Sequence, residues 1–106
     1  MKFEARIDRF VKDNSIKAIA SVVLDGMFVV KNLRVVNGAN GCFVAMPQES
    51  YKDKQGNIKY RDVFFPMTPN ARAALESAVI SAFDIAMFEH PPDWAVEHDT
   101  MLPMEL

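Results

Sequence analysis

Apolar and charged residues alternate in part through residues 2–12. Phe3, Ala5 and Ile7 fall on one side of an extended chain, and Glu4, Arg6 and Asp8 on the other. A period of two marks a strand with one packed face and one wet face, so this stretch predicts a half-solvated strand. The polar cluster Asp13-Asn14-Ser15 ends it in a turn. Residues 16–24, IKAIASVVL, are rich in β-branched and small apolar residues and predict a second, more buried strand. Asp25-Gly26 follows. Between two apolar runs this pair signals a hairpin, because a type I′ turn needs positive φ at both central residues. The partner strand runs from Met27 to about Val36.

Asn37-Gly38-Ala39-Asn40-Gly41 is built from residues that tolerate left-handed backbone and predicts a second turn. A fourth strand, Cys42 to Met46, stops at Pro47. Residues 48–58, QESYKDKQGNI, are polar with a central glycine and predict an exposed loop or a long hairpin tip. Residues 59–65, KYRDVFF, return as a fifth strand.

The period then changes. Thr68 suits a helix N-cap and Pro69 the first helical position. Ala71, Leu75, Ala78, Val79, Ala82 and Ala86 recur at helical spacing, and Ile80, Phe83 and Met87 widen the stripe. Glu76, Ser77, Ser81 and Asp84 mark the wetter side. The spacing predicts a helix of about five turns over residues 69–87, stopped by Pro91-Pro92. From Asp93 onward the chain is acidic, with Trp94, Met101, Leu102, Met104 and Leu106 interspersed. Such a tail is either disordered or docked on the body through its apolar residues.

Strands followed by a helix make the fold class α+β, with a single antiparallel sheet of about five strands and one long amphipathic helix. One helix covers one face of such a sheet, so the other face or an edge calls for a partner, and a homodimer is expected. The sequence reads as one domain over residues 1–88 and an acidic, proline-containing tail over 89–106.

Composition narrows the class. With 106 residues there is room for one modest core. Hydrophobic residues at 50% and charged residues at 25% describe a globular chain, not a disordered one. No apolar run nears the roughly 18 residues that cross a bilayer, and the charged start MKFEARIDRF lacks the apolar stretch of a signal peptide. A cytoplasmic protein is expected. The lone Cys42 cannot form an internal disulfide, and its setting in Cys42-Phe43-Val44-Ala45-Met46 predicts a small buried hydrophobe.

The net charge of -2 argues against nucleic acid as a partner, but its distribution does not. Residues 1–88 carry all 12 Lys and Arg against 9 Asp and Glu, a balance of +3, and residues 89–106 carry 5 acidic residues and no Lys or Arg.

Enzyme signatures are scarce, so no catalytic residues, cofactor, metal or small-molecule substrate are expected. His90 and His98 lie in the acidic tail with Asp93 and Asp99, at a spacing that matches no standard metal-ligand pattern. No phosphate-binding glycine loop, nucleophile elbow or cysteine cluster occurs. Asp25 and Asp62 fall where a carboxylate commonly bonds to local backbone. The basic residues carry more. Lys52, Lys54, Lys59 and Arg61 flank the long loop, with Tyr51 and Tyr60 interleaved. Asn70 and Arg72 occupy the first helical turn, where free N–H groups and the helix dipole favour a phosphate and Arg72 adds a forked donor. The plain alternative is a solubilising loop and an Arg72 paired with Glu76 at i+4.

The stretch LDGMFVVKNLRVVNGANGCFVAMP, residues 24–47, resembles the signature of the stage V sporulation protein G family of septation regulators. Phe28-Val29-Val30, Arg34-Val35-Val36, Gly38, Asn40-Gly41 and Phe43-Val44-Ala45-Met46-Pro47 stand at the matching places. Ala18-Ile19-Ala20-Ser21 before it, and Arg61-Asp62, Pro66 and Ala71-Arg72 after it, agree as well, so the resemblance covers roughly residues 2–85. It implies a sheet-plus-helix dimer that binds DNA and RNA and regulates septation, sporulation or surface-layer genes, with nucleic-acid contacts at the start of the helix. Arg72 matches the basic residue there. The second basic residue usual two places later is Ala74 in this chain, which leaves the phosphate grip either weaker or displaced to the loop. The loop after Pro47 is longer than usual in the family, and the acidic tail is not a hallmark of it. A dimeric nucleic-acid-binding regulator is therefore the leading reading. A protein-interaction module on the same fold, with little nucleic-acid affinity, is the alternative.

Overall fold

A computed structural model of the chain describes residues 1–95. The expectations about His98, Asp99, Met101, Leu102, Met104 and Leu106 lie outside the described residues. Seven elements follow in order: β1 (Phe3–Asp13), β2 (Ile16–Leu24), β3 (Phe28–Gly38), β4 (Gly41–Ala45), β5 (Gln48–Lys52), β6 (Ile58–Asp62) and α1 (Pro69–Glu89). The class is α+β, as the succession of periods predicted.

β1 to β4 form an antiparallel sheet in chain order. The turns are those the local residues favour. Asn14 takes φ 54° between β1 and β2, and Asp25 and Gly26 take φ 54° and 68° between β2 and β3. The second turn is clamped from the residue before β1, where the Lys2 carbonyl accepts from the Asp25 amide at 2.8 Å. At the third turn Gly38 makes room for a neighbour, since a Cβ there would stand 2.9 Å from the Phe43 ring and push that exposed ring aside. Bulges interrupt the ladders between Ile7 and Arg9 and between Ala20 and Val22.

Cross-strand register assigns the two faces. Phe3, Ala5, Ile7 and Phe10 of β1 stand beside Leu24, Val22, Ala20 and Ala18 of β2, which continue into Phe28, Val30, Leu33 and Val35 of β3. α1 lies on this face and contacts all four strands. Its Leu75, Val79 and Phe83, spaced four apart, are buried against Ala18, Ala20, Val22, Leu33, Val35, Val44 and Met46. Thr68 caps the helix with extended backbone (φ -129°, ψ 155°), and its Oγ1 accepts from the Ala71 amide at 3.1 Å. His90 ends it by donating to the Ala86 carbonyl at 2.8 Å, and Pro91-Pro92 prevents continuation. Ile85 and Phe88, outside the predicted stripe, stay exposed on the outer side.

Three expectations are corrected. The strands do not form one sheet of five: β5 and β6 pair only with each other, as a separate antiparallel hairpin. Every residue of both strands is exposed, so neither offers an apolar face for the core to capture. Pro47, which has no N–H to continue a ladder, separates the hairpin from β4, and the Pro47 carbonyl closes the hairpin's base by accepting from the Val63 amide at 2.9 Å. The return strand stops at Asp62 instead of Phe65, because the chain bends through Val63–Met67 to reach the helix.

Cys42, expected to be buried, is exposed. It pairs with Asn37 beside the β3–β4 turn, on the edge strand, and burial in β4 begins only at Val44. Its apolar neighbours in sequence reflect the strand as a whole and not its end.

The described start of the tail docks. Trp94 stands edge-on to Phe10 at 6.4 Å between ring centroids, under the Lys17 ammonium at 5.2 Å. Ala95 is buried.

Candidate nucleic-acid interface

The β5–β6 hairpin presents the sequence-predicted basic residues on two different faces. Antiparallel partners share a face, so Gln48 and Asp62, Ser50 and Tyr60, and Lys52 and Ile58 lie on one side. Glu49 and Arg61, and Tyr51 and Lys59, lie on the other. Lys52 therefore points away from Lys59 and Arg61.

The tip is held by Asp53. Its Oδ1 accepts from the Gln55 amide at 3.0 Å and the Asn57 amide at 2.8 Å, and its own amide donates to the Asn57 carbonyl at 2.9 Å. Gly56 completes the turn with φ 83°. A carboxylate spent on backbone donors leaves Lys54 and Lys52 displayed from an ordered turn. Among the described residues no carboxylate comes within ion-pairing distance of Lys52, Lys54 or Lys59.

The two arginines of the predicted surface are both engaged. Arg61 donates through Nε to Glu49 Oε2 at 2.7 Å, with Nη2 at 2.6 Å from the same oxygen, and its guanidinium lies 4.7 Å over the Tyr51 ring. Arg72 pairs with Glu76 at 3.6 Å. Asn70 is exposed beside it, and the first helical turn holds no acidic residue.

The hairpin and the helix share no extensive packing. On the sheet face that the helix leaves open, Ile19, Asn32 and Arg34 line an open cleft of about 340 Å³ together with Tyr60 and Gln48 of the hairpin. Arg34 is half-buried and donates from Nη2 to the Met46 carbonyl at 2.7 Å. Arg34, a residue of the family signature, and Asn32 are not among the site residues that the sequence predicts. The available signal was the strand period, which sets Arg34 opposite the buried Leu33 and Val35.

No group of three His, Cys, Asp or Glu is placed to hold a metal ion among the described residues. Nor is any described helix long and apolar enough to cross a membrane.

Comparison with known proteins shows the family. The family model of SpoVG matches residues 1–85. This chain belongs to the SpoVG family. A SpoVG septation protein of Symbiobacterium thermophilum is 46% identical over 79 residues, which are 74% of this chain and 54% of that protein. A second, of Listeria monocytogenes serotype 4b, is 36% identical over 83 residues, 78% of each chain. A third, of Desulforudis audaxviator, is 38% identical over 81 residues, 76% of this chain and 88% of that protein. The chain thus spans about half the length of the Symbiobacterium SpoVG protein and most of the other two. The SpoVG match ends within α1, before the docked Trp94.

Proposed function

We propose that this SpoVG chain is a dimeric, non-enzymatic regulator of the cytoplasm that binds DNA or RNA through phosphate contacts. The observation that carries the reading is the hairpin tip, where Lys52, Lys54 and Lys59 have no described ion-pair partner and Asp53 fixes the turn between them. Because the turn is ordered in advance, only the lysine side chains and not the backbone are left to be fixed on meeting a phosphate backbone. Each phosphate they neutralise releases condensed counterion. Arg72 adds a contact at the helix start by exchanging Glu76 for phosphate.

The partner subunit in this reading is a second copy of the chain. Its surface is the apolar end of the molecule, where Met1, Phe28 and Phe65 are exposed. An apolar groove of about 200 Å³ opens there between Phe3, Leu24, Phe65 and Leu75.

The test is an anisotropy titration of labelled DNA and RNA at several salt concentrations, comparing the native chain with a variant in which Lys52, Lys54 and Lys59 are all Gln. The expected result is weaker binding and a flatter salt slope in the variant, by about 0.9 in log–log units for each lysine that meets a duplex phosphate. Equal affinity and slope overturn the assignment of this surface.

A second reading, a protein-interaction module without useful nucleic-acid affinity, is favoured by the pairing of Arg61 with Glu49 and Arg72 with Glu76 and by Ala74 in place of a second basic residue. Absence of binding by the native chain at low salt selects it.

A further inference from the structure

We propose that the cleft between the hairpin and the open sheet face receives one unstacked base of a single-stranded nucleic acid, with Tyr60 as the stacking platform. The inference rests on the nucleic-acid reading above and adds to it a base-binding position distinct from the phosphate-binding lysines.

Tyr60 is 66% exposed although it belongs to a paired strand. It stands on the hairpin side that turns toward the sheet, and nothing in the described chain covers its ring. Below it, Ile19 supplies an apolar floor on the face away from the helix. The cleft is open to solvent and, at about 340 Å³, has room for one planar base laid against the ring.

The polar groups around this floor suit a base edge. Asn32 takes φ 68° where the β2–β3 ladder bulges. Asn accommodates this left-handed backbone better than a branched residue does, and bulges re-aim side chains at sheet surfaces. Its carboxamide offers both donors and an acceptor at the cleft. Gln48 donates from Nε2 to Asp62 at 2.9 Å, which orients its amide and leaves the oxygen as an acceptor. Arg34 is anchored by its Nη2 bond to the Met46 carbonyl, and the rest of its fork remains available to a base acceptor or a phosphate. Among the described residues no carboxylate lines the cleft itself, and the nearest to it, Asp62, is bonded to Gln48.

An aromatic ring, an anchored guanidinium and two carboxamides around an apolar floor form a stacking site with edge recognition, which matches the chemistry of a nucleobase. A base inside a duplex presents no free face to such a ring, so the site selects single strands. Lys52 lies on the same hairpin face as Tyr60, one pair nearer the tip, and with Lys54 at the tip would follow the backbone of the strand whose base is held, whereas Lys59 faces the other way.

The experiment compares fluorescein-labelled single-stranded DNA and RNA 20-mers of mixed sequence with the matching duplex. The proteins are the full chain, Tyr60→Ala, Tyr60→Phe and the cleft-filling Ile19→Trp, with circular dichroism confirming the fold of each. Tyr60→Ala and Ile19→Trp are expected to weaken single-strand binding about tenfold, to leave duplex binding unchanged, and to differ from Tyr60→Phe, which keeps the ring and the affinity. Native-like single-strand binding by Tyr60→Ala and Ile19→Trp overturns the cleft inference, and the phosphate reading survives if the triple lysine variant is impaired in the same assay. A native chain that binds the duplex but not the single strands also overturns it. A native chain that binds neither overturns both.

Discussion

Arg72 Nη1 lies 3.6 Å from Glu76 Oε2, one turn along the helix. The pair is partly exposed, and an i, i+4 ion pair of this kind contributes about 0.3–0.5 kcal/mol. Removing it should barely move stability. Its effect on binding is more telling, because Glu76 competes with phosphate for the same guanidinium. Glu76→Gln is expected to tighten binding to DNA at low salt, and Arg72→Ala to weaken binding on all sequences alike, since phosphate contacts position a protein without reading bases. Anisotropy titration of both variants checks this. Identical affinities would remove the helix start from the interface.

Asp53→Ala should loosen the hairpin tip without melting the molecule. The change removes the acceptor of the Gln55 and Asn57 amides, about 1 kcal/mol of local stability for exposed bonds. The hairpin contributes nothing to the buried core. Hydrogen exchange at residues 53–58 should accelerate while the thermal midpoint stays nearly constant. A large drop in the midpoint would mean that the hairpin supports the core.

Trp94→Ala is expected to cost about 2 kcal/mol, below the 3–5 kcal/mol of a fully buried large-to-small change, because Trp94 is only half-buried against Phe10 and Lys17. Urea unfolding followed by circular dichroism measures it. An unchanged midpoint would make the docked segment a passive contact.

Ending the chain after Ala95 retains the Trp94 contact and removes Glu97, Asp99 and Glu105. Less negative charge should tighten nucleic-acid binding at low salt and leave it unchanged at high salt, where screening removes the difference. Titrations at two salt concentrations decide between this and an electrostatically inert tail.

A charge placed in the apolar end should dissociate a dimer built there. Phe28 is 65% exposed, so Phe28→Asp perturbs the fold little. Sedimentation equilibrium at micromolar concentration is expected to give twice the chain mass for the native protein and the single mass for the variant. A monomeric native protein ends the dimer proposal, and an unaffected dimer moves the interface elsewhere.

Local chemistry was readable in the sequence. The second strand occupies Ile16–Leu24 as its β-branched run requires, Asp25-Gly26 takes positive φ at both positions, and Thr68-Pro69 opens the helix that Leu75, Val79 and Phe83 bury. Each depends on residues within one turn or one strand. The Arg72–Glu76 pair was legible for the same reason, because helical spacing alone brings i and i+4 together. Other features were settled by contacts between segments far apart in the chain. β5 is polar throughout and reads as part of an exposed loop or hairpin tip, and only its pairing with β6 makes it a strand; no apolar face ties the two to the core, so they stand as a separate hairpin. Cys42 reads as apolar by its neighbours, yet it is exposed because it lies beside a turn on an edge strand. The cleft needs Ile19, Asn32 and Arg34 from two strands of the sheet and Gln48 and Tyr60 from the hairpin. Local periodicity gives each of these residues a face, but only packing decides which faces meet.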